Sequence, residues 1–129
     1  MIDMPDDTTR YTRVYADKDG ESHFEDVEVI LNSTDYAPPA LPLNVSAAVD
    51  ARRFVFVGGA SGWVGDWHPS PKRQFVFILS GVFEVRVSDG EVRCFRPGGV
   101  VLLEDTVGRG HFSRVTSEEP ALTAMVHLD

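Results

Sequence analysis

The sequence predicts an all-β fold, a sandwich or small barrel with antiparallel pairing. Two observations point there. The second half is a series of short Val-, Ile- and Phe-rich runs, with turn signals every eight to twelve residues. No stretch sustains the 3.6-residue apolar period of an amphipathic helix, although residues 45–52 could make one or two helical turns.

The runs follow in order. Residues 1–10 are polar and read as a flexible arm. Residues 11–16 can pair as a short strand before the turn Asp17-Lys18-Asp19-Gly20. Residues 25–31, rich in Val and Ile, read as a strand, and residues 32–42, with three prolines, as a surface loop. Residues 53–57 are a strand that Gly58-Gly59-Ala60-Ser61-Gly62 breaks. Residues 75–79 and 82–87 flank Ser80-Gly81, a hairpin signal. Ser88-Asp89-Gly90 then turns the chain into 91–95, and Pro97-Gly98-Gly99 turns it into 100–103. Residues 105–110 form a loop before the last two strands, 112–116 and 122–128.

Length and composition bound the function. A chain of 129 residues with 43% hydrophobic and 25% charged residues reads as one ordinary globular domain, 1–129. Twenty acidic residues against twelve basic ones give a net charge of −8. That balance disfavours nucleic acid, which needs a basic face, and an anionic membrane surface. Cys94 is the single cysteine, so no intrachain disulfide is expected, and it reads as a small strand residue. Residues 1–7 lack the basic start and apolar run of a signal peptide, and no run nears the ~20 apolar residues of a membrane span. A cytoplasmic location is the expectation.

Strand alternation assigns faces. If Gln74 points inward, Val76 and Ile78 share its face. On the later strand His111, Ser113 and Val115 share one face, and Phe112, Arg114 and Thr116 the other. Polar groups at strand ends beside apolar interior positions suit a barrel that holds one small ligand.

Two motifs resemble those of the cupin superfamily. Its first motif runs Gly, five residues, His, one, His, three, Glu, six, Gly. Gly62, His68, Ser70, Gln74 and Gly81 stand at those positions, with serine for the second histidine and glutamine for the glutamate. Its second motif runs Gly, five, Pro, one, Gly, two, His, three, Asn. Gly108 and His111 match, Thr106 and Val115 replace the proline and asparagine, and Gly99 comes one residue early. The resemblance covers residues 50–128 and implies a double-stranded β-helix, or jelly-roll barrel. It also implies that His68, Gln74 and His111 would bind a divalent metal such as iron, manganese, nickel or zinc.

Imidazole and oxygen donors suit such ions. Ser70 is a poor ligand and Gln74 brings no negative charge, so the set would hold an ion loosely. A metal-free pocket with hydrogen-bonding histidines stays open beside it. His68, His111 and Asp105 are the candidate catalytic groups. Trp67, Ser70, Val76 and Ser113 are the candidate substrate contacts. Asp105 or Glu104 could act as an acid or base, or the loop that holds them could be a solvated turn orienting His111. Trp63 could stack on a ligand or pack the core, and Arg73 reads as a surface residue, pointing away from Gln74. Arg109 could clamp an anion or serve the surface, while His23 and His127 have no motif around them.

The resulting expectation is an enzyme acting on a small organic molecule by lyase, isomerase, dehydratase or cyclase chemistry. The alternative is a non-catalytic, metal-free ligand-binding barrel. Small cupins commonly pair through N-terminal strands, so residues 11–31 are expected to join a homodimer.

Overall fold

The computed structural model describes residues 7–129, folded into twelve strands with no helix among them. The N-terminal hairpin is β1 (Thr8–Ala16) and β2 (Ser22–Ile30). A small hairpin, β3 (Asn32–Thr34) and β4 (Leu43–Val45), follows. The barrel strands are β5 (Arg53–Gly59), β6 (Val64–His68), β7 (Gln74–Ser80), β8 (Phe83–Val87), β9 (Val92–Phe95), β10 (Val100–Leu103), β11 (His111–Val115) and β12 (Ala121–His127).

One sheet runs β2-β1-β10-β7-β12-β5 and the facing one β6-β11-β8-β9. From β5 onward the chain passes back and forth between them. Strand neighbours such as β5 and β12, or β6 and β11, are distant in sequence. This is jelly-roll order, two sheets in Greek-key connection around one interior. Pairing is antiparallel except for β1, which lies parallel to β10.

The inward set follows the pleat. Val76 and Ile78 from β7, Val85 and Val87 from β8, and Val101 and Leu103 from β10 meet in the core. Phe24 and Phe95 close it, with ring centroids 6.2 Å apart. Val14 from β1 is fully buried against them, so the N-terminal hairpin is part of this core.

Several local expectations are corrected. Thr8, Thr9 and Arg10 belong to β1, where they pair with Ile30, Val29 and Glu28 of β2. The rest of the expected arm, residues 1–6, lies outside the described residues. The segment read as a loop, 32–42, carries β3, and the one read as helical, 45–52, holds the last residue of β4 and then irregular chain. Ser80-Gly81 is no hairpin, because β7 pairs with β10 and β12 while β8 pairs with β11 and β9. It is a corner between sheets. Gly81 has φ 75° there, and a Cβ would sit 2.6 Å from the Ala121 Cα, so no side chain fits. Lastly, β6 went unpredicted, since its Trp, Gly and Asp residues lack a β-rich run.

Candidate functional site

Two strand ends converge at one mouth of the barrel. His68 closes β6 and His111 opens β11, and the two are direct cross-strand partners. Directly opposed residues share a face, so both rings point the same way. Their centroids are 5.1 Å apart. A register shift between His111 and Ser113 follows at once, and such bulges re-aim side chains beside sites. The close approach depends on Gly110, which has φ 73°. A Cβ there would lie 2.0 Å from the His68 carbonyl oxygen.

Each imidazole is fixed through its Nδ1. His68 Nδ1 donates to the Pro69 carbonyl at 2.7 Å, and His111 Nδ1 donates to Asp105 Oδ2 at 2.7 Å. In each neutral ring Nε2 then carries the free lone pair. His111 and Asp105 are both buried, and the second Asp105 oxygen has no hydrogen-bond partner among the described residues. Asp105 therefore bears on the site through His111 and does not line the cavity. Of the two readings of its loop, the orienting role fits, but the turn is not solvated at this residue.

Both Glu104 carboxylate oxygens are already bound by arginines. Burial raises its pKa, but hydrogen bonds from Arg13 Nε at 2.5 Å and Arg73 Nε at 2.9 Å outweigh this, and it lies below the usual carboxylate range. The same bond places Arg73 on the surface. Arg109 pairs with Glu21 at 3.2 Å and is exposed.

Gln74 is buried at the start of β7. Its Nε2 donates to Ser70 Oγ at 3.2 Å, and Ser70 Oγ donates to the Lys72 carbonyl at 2.6 Å. Among the described residues, no three His, Cys, Asp or Glu side chains cluster as a metal site. A weaker set remains, the two Nε2 atoms and the Gln74 amide oxygen. These donors are of the kind that divalent first-row ions accept.

The histidines open onto a cavity of about 300 Å³. Its walls are mostly apolar, among them Val76, Ile78, Phe83, Val101, Leu103 and Met125. Its polar lining comes from His68, Ser70, Gln74, His111, Ser113 and Thr123. The predicted contacts Ser70, Val76 and Ser113 all line it. Trp67 does not. It lies on the outer side of its sheet, 6.1 Å from the Phe112 ring, because it alternates with His68. Trp63 lines the cavity instead.

Sequence reasoning also missed Ser22, while His127 is the strand residue it was read as. Ser22 Oγ donates to the Gly110 carbonyl at 2.6 Å, so the N-terminal hairpin props the residue before His111. No local pattern could show a contact spanning so much chain. His127 faces Gln74 in the strand register, and its buried Nδ1 has no partner among the described residues.

No family model matches the chain, and no curated protein matches it. Solved structures do resemble it. A Cupin 2 conserved barrel domain protein from Salinispora arenicola is 20% identical over 78% of this chain and 76% of its own, with a TM-score of 0.49. The cupin domain of Schizosaccharomyces pombe Cnp3 is 14% identical over 97% and 86%, with a TM-score of 0.47. A conserved Streptococcus pyogenes protein of unknown function is 20% identical over 59% of this chain, with a TM-score of 0.47. The match spans 62% of that protein's length. At such identities and scores these likenesses bear on no function. The strand order itself carries the fold, a jelly roll of two facing sheets, which is the architecture that the resemblance of the two motifs implies. No helix among the described residues is long and apolar enough to cross a membrane.

Proposed function

We propose that the barrel binds a compact, mainly apolar organic molecule with one oxygen-bearing end against His68 and His111, and that these imidazoles move a proton there in lyase- or isomerase-type chemistry. The carrying observation is the buried Asp105–His111 hydrogen bond at the polar mouth of an otherwise apolar cavity. Asp105 holds the Nδ1–H tautomer, so His111 Nε2 faces a ligand as a base. Once Nε2 takes a proton, the adjacent carboxylate stabilises the imidazolium. His68, tied to the Pro69 carbonyl, offers a second Nε2 to accept or return that proton.

The cavity sits at the small end of the ~300–1,000 Å³ range for ligand pockets, so the molecule is small. Ser113 and Thr123 offer the remaining polar contacts along walls that otherwise reward apolar surface. A divalent ion, when bound by His68, His111 and Gln74, would polarise the ligand's oxygen.

A second reading is a metal-free binding barrel. The Gln74–Ser70–Lys72 chain of hydrogen bonds favours it, because it uses the glutamine amide as wall structure.

One experiment tests the binding that both readings share. Small ketones, lactones and hydroxy acids are screened by thermal shift on the native chain and on Ser113→Phe, which fills the cavity. A ligand at 100 times its Kd adds about 2.7 kcal/mol of stability. Stabilisation of the native chain alone is the expected result. Equal shifts in both chains, or none in either, would sink the cavity as the site. Metal analysis, and stabilisation by added manganese, nickel or zinc that His111→Ala abolishes, then separates the two readings.

A further inference from the structure

The cavity has a second end that the chemistry proposed above does not use. Along β7 its lining runs from Gln74 through Val76 to Ile78. Four steps at the ~3.3 Å rise of a strand make that length roughly 13 Å. His68, His111 and Gln74 mark one end. The strand registers put Ile78, Gly59 and Phe83 at the other. Trp63 belongs to that far end too, because the Val115 amide donates to its carbonyl at 2.9 Å and Val115 is the cross-strand partner of Phe83. The far end is apolar. Thr123, level with Ile78 in the register, already donates its hydroxyl to the Val57 carbonyl at 3.0 Å.

Trp63 closes this end. Gly65 sits opposite Ser113, which lines the cavity, so position 65 faces inward. Position 63, two residues back, faces the same way. Gly65 has no side chain, and the Trp63 indole fills the gap. A Cβ at Gly65 would lie 2.4 Å from Trp63 Cη2, and one at Gly59 would lie 3.7 Å from the Trp63 Cβ. The φ of Gly65 is not positive, so its backbone would accept other residues. A strand glycine of that kind marks a close approach. The indole therefore leans back over Gly65 into the barrel. Yet Trp63 is also 44% exposed. One part of the residue meets the cavity and another meets solvent.

We propose that Trp63 sets the length of the ligand: a molecule held by its oxygen-bearing head at His68 and His111 runs a straight aliphatic tail down the barrel until it meets the indole. This rests on the function proposed above and narrows its ligand to unbranched chains. About 300 Å³ stretched along the barrel is a narrow space, which suits one chain better than a bulky ring system. Walls such as Val76, Ile78 and Phe83 offer a tail no hydrogen bond, so they read its apolar length and little else. Each methylene buried there should add about fourfold in affinity. Once the tail reaches the indole, one more methylene must displace a packed ring or fold back on itself. Packed interiors resist such insertion, so the gain stops and reverses.

The test is a series of straight-chain 2-hydroxy acids, titrated into the full chain by calorimetry. Affinity should climb by about fourfold per methylene, reach a maximum and fall beyond it. In Trp63→Ala the maximum should move to a longer acid. The first acid past the native maximum should bind that variant at least about fourfold more tightly than it binds the native chain. Trp67→Ala, on the outer side of the same sheet, should keep the native maximum. A second measurement leaves position 63 untouched, in case Trp63→Ala does not fold. The chain has two tryptophans, so Trp67→Phe makes Trp63 the sole indole. Its emission should move to the blue as the bound acids lengthen toward the maximum, and stay in place for the shortest. A maximum that does not move in Trp63→Ala, or one that moves in Trp67→Ala, would overturn Trp63 as the stop and leave the cavity as the site. So would a native affinity that never falls with length, or an emission indifferent to it. No binding at any length would overturn the cavity reading and this proposal with it.

Discussion

The inner face of the six-stranded sheet and the outer face of its β7, β12 and β5 strands are both apolar, yet they differ in kind. The inner face, with Val76, Ile78, Val101 and Leu103, packs against the second sheet around a cavity. The outer face, with Phe54, Phe56, Phe77 and Leu79, packs against nothing in the described chain. Phe54-Val55-Phe56-Val57 is accordingly a continuous apolar run without the polar alternation of a strand that faces water on one side. The outside of the second sheet shows the alternative. There Glu84 takes hydrogen bonds from Arg86 at 3.2 Å and from Arg114, and Arg86 lies over Phe112. Those bonds hold the Glu84 pKa below its usual value, Arg114 chiefly, in a face built for water. Hydrophobicity alone does not mark a ligand site. What sets the inner face apart is the polar end where His68, His111 and Gln74 line the cavity.

The sharpest way to break the inner face is Gly110→Ala. The added methyl meets the His68 carbonyl, and the positive φ disfavours any side chain. Its cost should far exceed the ~1 kcal/mol of an average substitution. Urea unfolding should show either no folded protein or a large fall in midpoint. A near-native midpoint would mean that β6 and β11 are not held this closely.

Next comes a matched pair. Leu103→Ala on the inner face should cost about 2–5 kcal/mol by urea unfolding. Leu79→Ala on the outer face, measured in dilute protein, should stay within about 0.5 kcal/mol. If the two effects are equal, the faces do not differ as described.

Asp105→Asn sharpens the distinction between fold and site. Loss of a buried charge-assisted hydrogen bond should cost about 1–3 kcal/mol. It should also lower the share of His111 in the Nδ1–H tautomer, read by nitrogen NMR of the ring. Ligand affinity or turnover should fall by about tenfold or more. A tautomer ratio that does not move would remove Asp105 as a positioning residue.

Much of this was legible in the sequence, for physical reasons. Period-two alternation placed Val76, Ile78 and Ser113 inward correctly, because a buried face enforces the pleat. His68 and His111 were singled out by their turns and by the motif resemblance, and the register pairs them directly. The hairpin at Ser80-Gly81 was misread because a turn signal reports local backbone, whereas the sheet a strand joins is decided by distant partners. Trp67 was misplaced for a related reason. With β6 unrecognised, nothing put it on the face opposite His68. The Ser22 contact is a tertiary fact with no local signature.

The smallest expected effect lies away from both faces. His23 bridges Asp17 at 2.7 Å and Asp89 at 2.8 Å, stapling the β1–β2 turn to the β8–β9 turn. Asp17 first and Asp89 second raise the His23 pKa above 6.5, against a smaller opposing effect of burial. A raised folded-state pKa means the protonated ring favours the fold. That stabilisation is fully present below about pH 6.5 and is lost as pH rises through the folded-state value. Asp17 runs the other way. His23 lowers its pKa, so its contribution is present above 3.8 and lost as acid brings the pH down through the folded-state value. Between the two windows the staple is intact. Net negative charge also grows with pH and weakens the fold generally, so the native chain alone cannot isolate the effect. His23→Gln can. Its thermal midpoint should fall less than the native one between about pH 5.5 and about pH 8.5, by about a few degrees at most. Parallel curves would show that the staple contributes nothing measurable, as many exposed ion pairs do.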